Sequence, residues 1–171
     1  MIYTFDNALL TLVSQAYGQR DYQLCAKYLN RQIHLVFMIS LPQALLFYFG
    51  VDTVLGLLGL NPDIALKAAL YVKTCVFGHM FLNISNCYQK YLSAQREVKL
   101  QMYSNLISMT IHIFVAITLV RENFGIEGIA ISMCINYIVR FVSLQIIIVY
   151  SPYYENLISL WDPTSRRHLY G

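Results

Sequence analysis

The residues that could do chemistry in this 171-residue sequence fall into three short series: His79, Asn83, Asn86 and Lys90; Gln101, Ser104, Asn105, Ser108 and His112; and Ser132, Asn136, Arg140 and Ser143. Their spacing is almost always three or four residues. At about 100° of rotation per residue, each series therefore falls on one narrow face of a helix. Amides, hydroxyls, imidazoles and a guanidinium on such faces can hold a polar or ionic ligand, and a histidine can also pass a proton near neutral pH. Acid–base or nucleophilic catalysis is not indicated, because no paired carboxylates accompany these residues. A Gly-rich phosphate loop is also lacking, which argues against an ATP-driven pump and against an enzyme.

The helices that must carry these faces are those of a membrane protein. The chain is 57% hydrophobic and 12% charged, with a mean hydropathy of +0.51, whereas a soluble domain carries roughly a quarter charged residues. A spanning helix needs about 20 mainly apolar residues. Ile33 to Phe49 and Leu100 to Val120 carry no acid or base, Ala68 to Gln89 carries only Lys73, and Gly128 to Tyr150 carries only Arg140. The expected fold is all-α, a polytopic transmembrane helical bundle over residues 1–150. Its spans are placed at about 30–49, 65–92, 99–120 and 127–150, after a partial helix at 1–17, and 151–171 is a cytoplasmic tail or linker. The intervening loops are Gly18 to Tyr28, Gly50 to Asp63, with Asn61-Pro62-Asp63 as helix stop and restart, Gln95 to Lys99, and Arg121 to Glu127. No acid is expected inside the four spans.

Basic residues gather on the cytoplasmic side of short loops. Arg20, Lys27 and Arg31 precede the first full span, Lys90, Arg96 and Lys99 separate the second from the third, and Arg166 and Arg167 follow the fourth, while the opposite loops hold Lys67 and Arg121. The loop after Val13 is thus cytoplasmic, the Gly50 to Asp63 loop external and the tail cytoplasmic.

Several partners and cofactors are excluded. The formal charge of +3 comes from scattered Lys and Arg with no run longer than Arg166-Arg167, so nucleic acid is not expected. Cys25, Cys75, Cys87 and Cys134 form no CxxC pair, and neither a disulfide framework, a metal site nor any cofactor is expected. Met1 to Asn7 lacks a basic segment and contains Asp6, which argues against a cleavable signal. Asn83-Ile84-Ser85 matches a glycosylation sequon but lies mid-span, out of reach of that modification.

Two readings of the polar series stay open. They line a hydrated cavity, or they are hydrogen-bonding contacts that hold helices together in lipid. The cost of desolvating His112 and Arg140 favours the first for those two residues.

The segments around the spans add a resemblance. Ala8 to Gly18, A-L-L-T-L-V-S-Q-A-Y-G, resembles the A-L-x-T-L-x-x-Q-A-x-G at the end of the second helix of the multidrug and toxic compound extrusion (MATE) transporters. Tyr28-Leu29-Asn30-Arg31 resembles the Y-L-Q-R that opens their third helix in eukaryotic members. Leu57 to Ala65 with Tyr71 resembles the stretch before the fourth, Tyr91-Leu92-Ser93-Ala94-Gln95 the Y-L-x-A-Q after it, and Gly125 to Ile131 the opening of the sixth. The resemblance implies a partial N-terminal lobe, from the end of helix two to helix six of a twelve-helix, two-lobed fold. It also implies an antiporter that exports xenobiotics and organic cations in exchange for protons or Na+. Asn83, Asn86, Gln101, Asn105, His112 and Arg140 become candidates for the substrate path. Thr11, Gln15, Gly18, Gln95 and Gly128 become structural motif residues. Where prokaryotic members carry a coupling Asn and, four residues on, an Asp, this chain has His112 and Ala116. The resemblance then moves protonation to a second lobe, with His112 able to take over part of the role.

The implied partners are the lipid bilayer, the substrate, the coupling ion, and a second lobe or second chain. The motifs are shared by plasma-membrane and vacuolar or other endomembrane members, so the host membrane stays open. The rival function is a truncated, non-transporting membrane scaffold or partner subunit.

Overall fold

A computed structural model describes residues 2–150, with side chains from residue 5 onward. The expected tail at 151–171, with Trp161, Arg166 and Arg167, lies outside the described residues. The described chain is five helices and no strand: α1 (Ile2–Gly18), α2 (Tyr22–Leu57), α3 (Pro62–Ala94), α4 (Val98–Arg121) and α5 (Gly125–Val149). Among the described residues, α2 to α5 are each long and apolar enough to cross a membrane.

The helices outrun the sequence expectation. The loop expected at Gly18 to Tyr28 shrinks to Gln19–Asp21, because the Asp21 side chain accepts from the Leu24 amide at 2.9 Å and caps α2 there. Charges in Arg20 to Arg31 suggested a loop, yet Cys25, Leu29, Gln32 and Val36 recur at three- and four-residue intervals and are all buried. At its other end α2 runs to Leu57, so the loop expected at Gly50 to Asp63 shrinks as well. The expected restart is present: Asn61 accepts from the Asp63 amide at 3.0 Å, with Pro62 in the first turn of α3. With α2 extended, Asp52 stands near the C-terminal end of a helix rather than in a loop. It pairs with Lys73 of α3, whose ammonium also lies 5.9 Å from the centroid of the Tyr48 ring.

Three turns share one geometry. Arg20, Arg96 and Asn123 have φ of 60°, 64° and 63°. The amide of the residue after each reaches back to Ala16, Leu92 and Leu119 at 3.1, 3.0 and 3.2 Å. This is the Schellman helix ending, built here without glycine at the left-handed position.

Helix α3 is central, packing against α1, α2 and α5, while α4 packs along α5 and reaches α3 through polar side chains. One core cluster joins Leu9 and Val13 of α1, Leu29 and Val36 of α2, Tyr91 and Leu92 of α3, and Leu144 and Ile148 of α5. Much of the interior is small: Gly78 lies so close to α5 that an added Cβ would stand 2.9 Å from Cys134 Cα. Close approach through small residues is how helices associate where lipid removes the hydrophobic drive. Large apolar side chains such as Met38, Phe49 and Phe114 are exposed on the outside, where hydrocarbon receives them.

Candidate functional site

Polar side chains meet at two junctions, both built on α3. At the first, α3 faces α4 and α5. Arg140 of α5 donates to Gln89 Oε1 at 2.7 Å and to Asn86 Oδ1 at 3.5 Å. Gln89 donates to Asn105 Oδ1 at 3.0 Å, and Gln101 donates to the Gln89 carbonyl at 2.7 Å and to Ser93 Oγ at 2.8 Å. Ser104 bridges to α5, donating to the Arg140 carbonyl at 3.0 Å with Ser143 Oγ at 2.9 Å. Beside this network lies an open groove of about 600 Å³ whose polar lining is Gln101, Asn105, Ser108, Asn136 and Arg140.

At the second junction α3 meets α1 and α2. Asp6, with no exposed surface, accepts from Gln32 Nε2 at 3.4 Å and from Cys87 Sγ at 3.6 Å. Its other oxygen, Oδ2, has no partner among the described residues. Lys90 lies nearby with its ammonium donating to Asn7 Oδ1 at 3.1 Å.

A separate cavity of about 370 Å³ opens between α2, α3 and α5. Phe47, Tyr71 and Tyr137 supply rings, Gln43, His79 and Asn83 supply polar groups, and no Asp, Glu, Lys or Arg lines it. Asn83 is itself buried and donates to Ser40 Oγ of α2 at 3.1 Å.

The candidate residues thus divide. Gln101, Asn105 and Arg140 line the groove, and Asn86 stands behind them as a ligand of Arg140. Asn83 belongs to the other cavity. His112 lines neither; its Nδ1 is 3.2 Å from the Ser132 carbonyl, and since a carbonyl only accepts, the ring proton sits on Nδ1. The α3 series does not act as one face. Asn86 turns to α5 and Lys90 to α1, because the stripe runs along the ridge between the two junctions.

Among the motif residues, Thr11 returns its hydroxyl to the Asn7 carbonyl at 3.2 Å, within α1. Gln15 and Gly18 are exposed, Gln95 is buried at the end of α3, and Gly128 is buried at the start of α5. An added Cβ on Gly128 would stand 2.9 Å from Phe124 Cβ and 3.0 Å from Leu119 Cβ, so the tight α4–α5 turn excludes a side chain there. Sequence reasoning missed Gln89, the hub of the first junction, and Asp6. For Asp6 a signal existed: residues 6, 9, 13 and 16 share one helical face, and all four are buried.

Nothing in this arrangement is a nucleophile activated by a base, and among the described residues no group of three His, Cys, Asp or Glu could hold a metal ion. The four thiols are free. Three of them donate to backbone carbonyls of another helix, Cys134 to Thr74 at 2.9 Å, Cys25 to Val13 and Cys75 to Ala130 at 3.8 Å. What the geometry offers is binding: hydrogen bonds and a cation beside the groove, rings and neutral amides in the cavity.

Residues 1–118 match the MatE family model. The chain is 25% identical over 147 residues to Protein DETOXIFICATION 16 of Arabidopsis thaliana, covering 85% of this chain and 30% of that protein. It is 27% identical over 138 residues to Protein DETOXIFICATION 9 of the same plant, covering 80% and 28% of the two chains. Over 166 residues it is 27% identical to Protein DETOXIFICATION 39, covering 96% and 32%. The chain thus spans about 30% of the length of these curated relatives. No solved structure matches it.

Proposed function

Because the chain belongs to the MatE family, the multidrug and toxic compound extrusion transporters, we propose that it forms most of one lobe of an antiporter that exports organic cations and other xenobiotics in exchange for protons. Family members are transporters rather than enzymes, and the four spanning helices make this an integral, multi-pass membrane protein. The observation that carries the substrate class is the α2–α3–α5 cavity. Its aromatic rings can receive a cation through their faces, while Gln43 and Asn83 orient it without the desolvation cost of a buried carboxylate. The groove beside Arg140 supplies a second, more polar surface on the path. Alternating access then requires a second lobe or a second chain to close the other side. His112, whose Nδ1 faces the Ser132 carbonyl, stands where prokaryotic members carry a coupling amide and is a candidate for part of the coupling.

The test expresses the natural protein that carries this chain in a strain lacking efflux pumps and follows accumulation of a fluorescent organic cation. Lower accumulation than in the empty strain, restored when a protonophore collapses the gradient, is the expected result. Equal accumulation with and without the protein would remove the transport reading and leave the scaffold.

A further inference from the structure

We propose that Asp6 binds and releases a proton inside the membrane, with Lys90 as the counter-charge of its anionic form. Asp6 is the one fully buried acid among the described residues. It lies about 18 Å from the C-terminal end of α1 at 1.5 Å per residue, packed against α2 and α3, which are both long and apolar enough to cross a membrane. A carboxylate buried there is costly unless strong donors surround it. The donors present are weak: a neutral amide at 3.4 Å and a thiol at 3.6 Å, both on Oδ1, with nothing among the described residues on Oδ2. Charge-assisted bonds from a nitrogen donor to an ionised carboxylate are typically about 2.7–2.9 Å, so the Gln32 amide stands far off, whereas 3.6 Å is an ordinary reach for the larger sulfur. The arrangement is that of a neutral acid, whose carbonyl oxygen Oδ1 accepts from two neutral donors while Oδ2 carries the hydrogen.

Lys90 completes the pair. Its ammonium is held on Asn7, the residue next to Asp6, rather than on the carboxyl itself. Loss of the proton from Oδ2 leaves a carboxylate, and the ammonium then moves from the Asn7 amide oxygen toward it; return of the proton releases the ammonium. No bond other than O–H forms or breaks, and the proton is exchanged with water.

The groups facing Asp6 from each packed element agree with this. Helix α2 presents only the neutral Gln32, since Cys25 is engaged with the Val13 carbonyl and Arg31 and His34 are exposed. Helix α3 presents Cys87 and Lys90, with Tyr88 and Tyr91 buried alongside in the same core. A metal cation in place of the proton would need several oxygen ligands, whereas Gln32 and Cys87 turn donors toward the site.

That this proton drives export rests on the transport reading above; that Asp6 takes it up does not. The natural protein in lipid bilayers is therefore followed by infrared difference spectroscopy across pH, and separately for uptake of a fluorescent cation into vesicles under an imposed pH gradient. A protonated-carboxyl band that titrates in the wild type, is lost in Asp6→Asn and returns at a shifted frequency in Asp6→Glu is the expected result. The same band, unmoved, in a folded Asp6→Asn overturns the proposal. If Asp6→Asn does not fold, Cys87→Ala removes one donor to Oδ1 and must move the band; a band unmoved in both Asp6→Glu and Cys87→Ala overturns it equally. A band abolished by Na+ at constant pH overturns it in favour of a sodium site. An Asp6 band in a wild-type protein that moves no cation under any gradient supports the proton site and overturns the transport reading instead.

Discussion

The two junctions built on α3 solve opposite problems with the same helix. Toward α4 and α5, α3 offers Asn86, Gln89 and Ser93, and a cation, two further amides and two hydroxyls close around them, with bonds of 2.7–3.0 Å to Gln89 and Ser93 and one of 3.5 Å to Asn86. Toward α1 and α2 it offers Cys87 and Lys90, and a buried acid is left with long bonds and an unpartnered oxygen. The first junction is densely bonded and holds three helices in register, although the buried Asn136 Oδ1 beside it has no partner among the described residues. The second is under-bonded, and an under-bonded polar group in a membrane is cheap only while it is neutral. Rigid and titratable polarity are thus segregated on two sides of one helix.

Removing the charge on each side is the strongest way to break this comparison. Arg140→Ala should destabilise the protein by about 3 kcal/mol, because it strands the acceptors of Asn86 and Gln89. Asp6→Asn should cost roughly 1 kcal/mol or less if the acid is already neutral. Thermal unfolding in detergent reads both, and equal losses would end the distinction between the junctions. Next in size, Gly78→Ala drives a Cβ against the Cys134 backbone and should cost about 2 kcal/mol, whereas Ala at half-buried Gly50, where nothing lies within 4 Å of an added Cβ, should be neutral or stabilising. Asn83→Ala, which frees Ser40, should cost about 1 kcal/mol in the same assay. It should also weaken binding of a fluorescent cation if the α2–α3–α5 cavity is the substrate path. Smallest, and opposite in sign, Arg96→Gly should stabilise by up to about 1 kcal/mol by relieving a left-handed non-glycine residue in the turn between α3 and α4.

The all-α membrane architecture was legible because hydrocarbon imposes long apolar runs that composition cannot hide. Within it, the α4 and α5 series read true to their faces: Gln101, Ser104 and Asn105 reach α3 or α5, and Arg140 and Ser143 meet them. What did not read were features set by neighbours rather than by period. The loop expected at Gly18 to Tyr28 is mostly helix, because its charges and polar groups mask a buried face that starts at Cys25 and Ala26. The α3 series looks like one stripe, yet its partners divide it, and rotation alone gives no sign of which helix stands on which side. Asp6 shares a helical face with Leu9, Val13 and Ala16, so its period was legible, but only tertiary packing shows that this face is covered as far as the acid. The close approach at Gly78 was equally silent, since a glycine inside an apolar run does not announce what it touches.

The ridge of α3 also bears on which changes of length this protein can survive. Sequence neighbours Asn86 and Cys87 are committed to opposite junctions, as are Gln89 and Lys90. A single residue inserted into α3 ahead of Asn86 would turn everything downstream by about 100°. An amide, Asn86, would then stand where the thiol meets Asp6, while Tyr88 would take the place of Gln89 beside Arg140 and Gln89 that of Lys90. Deletion would carry the exchange the other way. Substitutions in this stretch can be absorbed one at a time, but an indel exchanges the chemistry of both sides at once, so this segment should evolve by replacement and hold its length.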